Sequence, residues 1–161
     1  MHGQSVSCRE VLVETYSSQV GVREEGGNNK GKQVSEYLAV TGFSDPVAWC
    51  AAFVAWCHDR TGVYTVQSAW SPAWFPESRT IYSRTDKFSL TPRAGDVFGI
   101  YYNSKKRIAH VGFIDAWNPD DDYCITVEGN TNGDGSREGD GVYRKRRLKR
   151  QIYKVSRWVL D

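Results

Sequence analysis

The stretch Ser44-Asp45-Pro46-Val47-Ala48-Trp49-Cys50-Ala51-Ala52-Phe53-Val54-Ala55-Trp56-Cys57 decides how this chain folds. From Val47 onward it is apolar on almost every side, unlike a surface helix, and it therefore reads as a helix buried within a domain. Ser44-Asp45-Pro46 reads as its start, a capping side chain followed by a proline in the first turn. Its end is expected near Gly62. A segment of this kind needs neighbours to cover it. Upstream, Val11, Leu12, Thr15 and Tyr16 recur at helical spacing behind Ser7, a candidate N-cap, and Val34, Tyr37 and Leu38, closed by Gly42, predict a second short helix. The intervening Gly26-Gly27-Asn28-Asn29 is a loop.

Downstream the pattern changes. Residues 63–92 hold Pro72, Pro76 and Pro92 and no clear period, which predicts loops with one short helical piece over 70–75. Arg93-Ala94-Gly95-Asp96 reads as a turn. Behind it, 97–102, 108–117, 123–128, 141–148 and 152–159 are β-branched and aromatic, broken by Asn, Gly, Asp and Pro. Helices followed by consecutive strands with short connections predict an α+β fold, helices packed on an antiparallel sheet of five to six strands. Residues 1–7 are read as a tail and 8–161 as a single domain.

Composition narrows the function classes. The 161 residues are 40% hydrophobic and 25% charged, which excludes disordered and collagen-like chains. Six Trp, nine Tyr and six Phe are a surplus that suits a core or a groove. The first twenty residues have no apolar run longer than Val11-Leu12-Val13, too short for a signal-peptide core or a membrane span. Cys8, Cys50, Cys57 and Cys124 show no CxxC pairing and are expected to be free thiols. The net charge is only +2, yet residues 136–161 carry nine Lys or Arg against three acidic residues. Interleaved apolar residues make that segment a solvated strand face before a nucleic-acid surface or an attraction to an anionic wall.

Three segments carry candidate chemistry. Cys50 lies near the start of the apolar helix, where free N–H groups and the helix dipole favour a thiolate and can hold an oxyanion. Cys57 lies two turns deeper and reads as core, and Cys8 and Cys124 read as structural. His58, eight residues after Cys50, is about 12 Å further along the helix and out of reach. His110 stands in the strand Ile108-Ala109-His110-Val111-Gly112-Phe113-Ile114, among residues that belong in a core. In Thr126-Val127-Glu128-Gly129-Asn130, strand alternation puts Glu128 and Asn130 on one side, and either could accept the second ring N–H of His110.

Together these segments, with Ala94-Gly95-Asp96-Val97 and Gly139-Asp140-Gly141-Val142-Tyr143, resemble the CHAP family of cysteine, histidine-dependent amidohydrolases and peptidases. That family is related to the NlpC/P60 enzymes and shares a papain-like fold. The resemblance runs from about Gly21 to the C-terminus. It implies Cys50 as nucleophile, His110 as general base, Glu128 as the group orienting the imidazole, and Asn130 as a fourth polar position. It implies hydrolysis of peptidoglycan amide bonds through a thioester, as an N-acetylmuramoyl-L-alanine amidase or an endopeptidase. Trp49, beside the proposed nucleophile, and Trp70 and Trp74, in the irregular stretch, are expected to line a substrate groove. A non-catalytic wall-binding module on the same fold and a peptidase acting on proteins are the competing readings.

The chain departs from calcium-binding members of the family, because Asp45 is the sole acidic residue close ahead of Cys50. Asn130-Thr131-Asn132-Gly133-Asp134-Gly135 imitates half of an EF-hand loop but has Gly141 where the bidentate Glu is required, so a turn is expected there. Expectations are thus no metal, no cofactor, no nucleic acid, no membrane insertion and a monomer acting on peptidoglycan. A phage lysin and a delivered effector fit equally, made in the cytoplasm and acting at the bacterial wall. A holin, secretion-machine or immunity partner would leave no mark in the sequence.

Overall fold

The structure is a computed structural model that describes residues 3–87, 89–132 and 139–161. Three helices, α1 (Cys8–Ser18), α2 (Lys32–Val40) and α3 (Cys50–Asp59), precede six strands, β1 (Thr80–Ser83), β2 (Val97–Tyr102), β3 (Arg107–Ala116), β4 (Tyr123–Thr131), β5 (Gly141–Leu148) and β6 (Lys154–Ser156). A 3-10 turn, Ser71–Trp74, links the helical part to the sheet, and a second, Lys149–Gln151, lies between β5 and β6. The strands form one sheet in the order β1-β6-β2-β3-β4-β5, every neighbour antiparallel. This is the expected α+β class. No helix among the described residues is long and apolar enough to cross a membrane.

Local sequence explains most of the elements. Ser7 caps α1 as read: its hydroxyl accepts from the Glu10 N–H, and the Glu10 carboxylate accepts from the Ser7 N–H, a reciprocal box. Every residue of α3 from Cys50 to His58 is buried, because the helix is enclosed by α1, α2 and the sheet. Its side chains join Leu12, Tyr16, Tyr37 and Leu38 with Val111, Phe113, Val127 and Val142 of the strands in the main core. A second, smaller cluster, formed by Phe98, Ile100, Ile114, Cys124, Ile152 and Val155, lies apart from the first.

Three boundaries differ from expectation. Strand β1 was not foreseen: four residues flanked by Arg79 and Arg84 show no pattern of their own, and pairing with β6 is what orders them. Strand β6 spans three residues where 152–159 was expected, since Trp158 and Val159 leave the sheet to join the main core. Helix α3 begins at Cys50, not at Ser44-Asp45-Pro46, which lie in a loop. The EF-hand-like segment runs into residues 133–138, outside the described residues. All four cysteines are free thiols.

Candidate active site

The late start of α3 matters chemically. Trp49 is its N-cap residue, but it supplies no side-chain hydrogen bond to the helix. The first intrahelical bond runs from the Phe53 N–H to the Trp49 carbonyl, 2.9 Å. Instead of capping, the Trp49 indole is fully buried, stacks on Tyr37 at 5.6 Å and donates Nε1–H to Glu24 Oε1 at 2.9 Å. The helix therefore opens with Cys50 as its first residue and no side chain competing for the N–H groups of its first turn.

Strand β3 brings His110 to that terminus. Its Nε2–H donates to Glu128 Oε1 at 2.7 Å, and both side chains are buried. The remaining ring nitrogen, Nδ1, is buried and makes no hydrogen bond, and the Cys50 thiol is the other group that acts on the ring. Glu128 fits beside β3 because Gly112 stands opposite: a side chain there would lie 2.9 Å from Glu128 Cγ and 2.8 Å from the Phe98 ring. The Ser71 hydroxyl, from the 3-10 turn, lies 3.7 Å from the Cys50 sulfur.

Glu128 is held from behind as well. Arg147 of β5 donates Nε–H to Oε2 at 2.5 Å and Nη2–H to Oε1 at 2.6 Å, a two-point clamp. The Thr126 hydroxyl donates to Oε2 at 2.5 Å. Burial alone would push the Glu128 carboxyl up, but Arg147 and His110 hold it well below the usual carboxylate range. For His110, burial opposes the charged ring, yet its bonds to Cys50 and Glu128 raise it to about 9. For Cys50, burial favours the neutral thiol; the hydrogen bond and charge of His110, the Val111 N–H and Ser71 outweigh it and lower the thiol below its ordinary value. These shifts together favour a thiolate–imidazolium pair. By contrast Cys57 lies in the core, where burial raises its thiol well above the ordinary range.

Glu128 and Asn130 do not share one task. The register shifts between Glu128 and Thr131, and Asn130 adopts a left-handed φ of 52°, which breaks strand alternation. Glu128 sits behind His110, while Asn130 lines the groove in front of Cys50. That groove encloses about 790 Å³ and is bordered by Phe43, Val47, Val66, Trp70, Ser71 and Arg107 as well. Trp70 is 54% exposed on its rim, with the Arg107 guanidinium 4.2 Å from its ring centroid.

The two other tryptophans expected in the groove are core residues. Trp49 is placed as above. Trp74 is fully buried, edge-on to Trp158 at 5.4 Å and stacked on His58 at 5.3 Å, and its Nε1–H donates to the Ser68 carbonyl at 2.9 Å. That bond holds Ser68, a lining residue of the groove.

Sequence reasoning missed Arg147, which it placed on a solvated basic face. Arg147 is buried, and Arg144 and Arg157 of the same segment pair with Asp115 and Asp96. Nothing in the run Arg144-Lys145-Arg146-Arg147 singles out its last member. The usable signal was indirect: a carboxylate in a buried strand calls for a cation, and the adjoining strand is rich in them.

A model of the CHAP domain family matches residues 42–130, the span from just before α3 to the end of the Glu128 strand. Among curated proteins, none matches the sequence of this chain. Solved structures with similar folds include NlpC1 from Trichomonas vaginalis, 12% identical over 98% of this chain and 46% of that one, with a TM-score of 0.55. A mutated form of the Resuscitation Promoting Factor Interacting protein RipA is 15% identical over 96% of this chain and 63% of that one, with a TM-score of 0.54. The chain thus spans less than two thirds of the length of the structures it resembles, and the likeness is one of fold.

Proposed function

We propose that this chain, which belongs to the CHAP domain family, hydrolyses an amide bond in the peptide part of peptidoglycan through a thioester on Cys50. The observation that carries the reading is the buried Cys50–His110–Glu128 row ending at an uncapped helix terminus that opens into a groove. The Cys50 thiolate attacks the amide carbonyl carbon. The oxyanion is met by the free N–H groups of the first turn of α3. His110, protonated at Nδ1, gives that proton to the leaving nitrogen, the C–N bond breaks and a thioester remains. His110 then takes a proton from water, whose oxygen attacks the thioester; the carboxylic acid leaves and the Cys50 thiolate and His110 imidazolium are restored. Glu128 holds the ring and keeps Nε2 protonated throughout.

Charge in the groove supports a wall peptide as substrate. Lys105 and Arg107 line it, and no Asp or Glu is among its described lining residues. Stem peptides carry free carboxylates close to their amide bonds, and two unopposed cations suit them. The exposed Trp70 face offers an apolar platform beside that charge.

Digestion of purified sacculi tests the reading. Soluble fragments should appear with the wild-type chain and be absent with Cys50→Ala, and their masses tell cleavage at N-acetylmuramoyl-L-alanine from cleavage within the peptide. Intact sacculi with folded wild-type protein would overturn it.

A further inference from the structure

The clamp on Glu128 is more than a structural ion pair. Cys50, His110, Glu128 and Arg147 form one buried row in which charge alternates: thiolate, imidazolium, carboxylate, guanidinium. Each link is made by adjacent elements, α3 to β3, β3 to β4 and β4 to β5. We propose that Arg147 is a positioning residue for the catalytic pair, holding Glu128 in register with His110 and supplying the fourth charge that makes the loaded row neutral. The inference rests on Cys50 and His110 being the reactive pair.

The sign of its effect follows from electrostatics. With Arg147 present, the row sums to zero once the thiolate forms. Without it, the same row carries a net negative charge in a place with little access to water, and such a charge is costly. Removing a fixed positive charge makes every nearby proton harder to lose. Thiolate formation and loss of the imidazolium proton therefore both move to higher pH. Removing Glu128 acts the other way on the imidazolium, which loses its carboxylate and gives up its proton at lower pH. Neighbouring links of one row thus shift the working pH window in opposite directions, and a purely structural role predicts neither shift.

Among the described residues, other groups around the row do not compensate. Glu128 is faced by His110 from β3 and Arg147 from β5, with the uncharged Thr126 hydroxyl on its own strand. Cys124, nearby on β4, is raised to about 11 by burial and stays neutral. The Tyr102 phenol of β2 also acts on Arg147. Ser71, from the 3-10 turn, touches the sulfur without a charge. Among the described residues, Arg147 is the guanidinium that contacts Glu128.

The test reads Cys50 itself and needs no substrate. The full chain is treated with iodoacetamide across a pH series, and peptide mass mapping follows modification of Cys50 separately from the other three thiols. Arg147→Met should raise the midpoint for thiolate formation by on the order of one pH unit, roughly a tenfold slower reaction on the rising limb. Arg147→Lys keeps the charge and should return the midpoint towards the wild-type value. If Arg147→Met does not fold, the Glu128→Gln, Arg147→Met pair, which removes both buried charges, should titrate above Glu128→Gln alone. Coincident profiles in either comparison would overturn the proposal. A shifted profile in a chain that leaves sacculi intact would sustain it while sinking the peptidoglycan reading.

Discussion

His110 Nε2 lies 2.7 Å from Glu128 Oε1, and neither side chain has appreciable access to solvent. This single bond fixes the tautomer. With Nε2 carrying a proton for Glu128, Nδ1 is the atom free to exchange a proton with Cys50. Glu128→Gln keeps an acceptor oxygen but removes the charge that favours the imidazolium. Turnover should fall on the order of 10²-fold, with thermal stability measured alongside to separate loss of the fold from loss of the base.

Cys50 and Glu128 together set the alkaline edge of activity. His110 is raised to about 9, above the ordinary histidine value, so the imidazolium that protonates the leaving nitrogen persists through neutral pH and is lost as pH climbs through about 9. Cys50 is shifted downward, so its thiolate is already formed on the acid side of the ordinary thiol range. A pH–rate profile should therefore be bell-shaped, with its alkaline limb near 9. A limb that follows an unperturbed histidine would contradict the arrangement.

Arg107 should govern preference for acidic substrates. Its guanidinium lies over Trp70 on the groove rim, with Lys105 alongside. Arg107→Met should raise KM several-fold for stem peptides with free carboxylates and leave KM for their amidated counterparts nearly unchanged. Steady-state kinetics on the two peptide sets decides it, and equal effects on both would count against carboxylate recognition.

Tryptophan substitutions should separate groove from core. Trp70→Ala removes an exposed ring and should weaken substrate binding with little effect on thermal stability. Trp74→Ala empties a fully buried site and should cost about 3–5 kcal/mol. Chemical denaturation of both variants makes the comparison, and a stability loss of equal size in Trp70→Ala would show that its ring is a structural one.

His58 predicts acid sensitivity. Burial between Trp74 and Phe113 lowers it to about 4, with Nδ1–H donating to the Val54 carbonyl. The unfolded chain binds this proton near the ordinary value of about 6.5, the folded chain only near 4. The contribution of His58 to stability is therefore lost as pH falls through that window and changes no further below it, by on the order of 3 kcal/mol in total. His58→Leu should flatten that part of the curve, and the difference between the two denaturation midpoints across pH 4–7 measures it.

What the sequence by itself determined was the set of parts. Ser7 and Glu10 spell a capping box that needs only its own turn, and the run from Cys50 to Cys57 admits no exposed face. The strands from Val97 to Leu148 alternate or are apolar enough to be placed within a few residues. His110 is an odd residue for its strand, but Cys50, His110 and Glu128 became legible as one site through their order along the chain and the resemblance to the CHAP family. Tertiary structure decided the rest. Trp49 and Trp74 read like groove residues, yet their rings fill gaps between elements far apart in the chain, and burial at that distance has no local signature. The start of α3 moved from Ser44 to Cys50 because Trp49 is held by Tyr37 and Glu24, partners outside its own helix. Asn130 left the strand pattern through a left-handed backbone at a register shift. Arg147 is the clearest case: among like neighbours, the pairing of β5 with β4 alone selects which cation reaches Glu128. Local propensity writes helices and strands, but a buried charge is assigned its partner by the register between them.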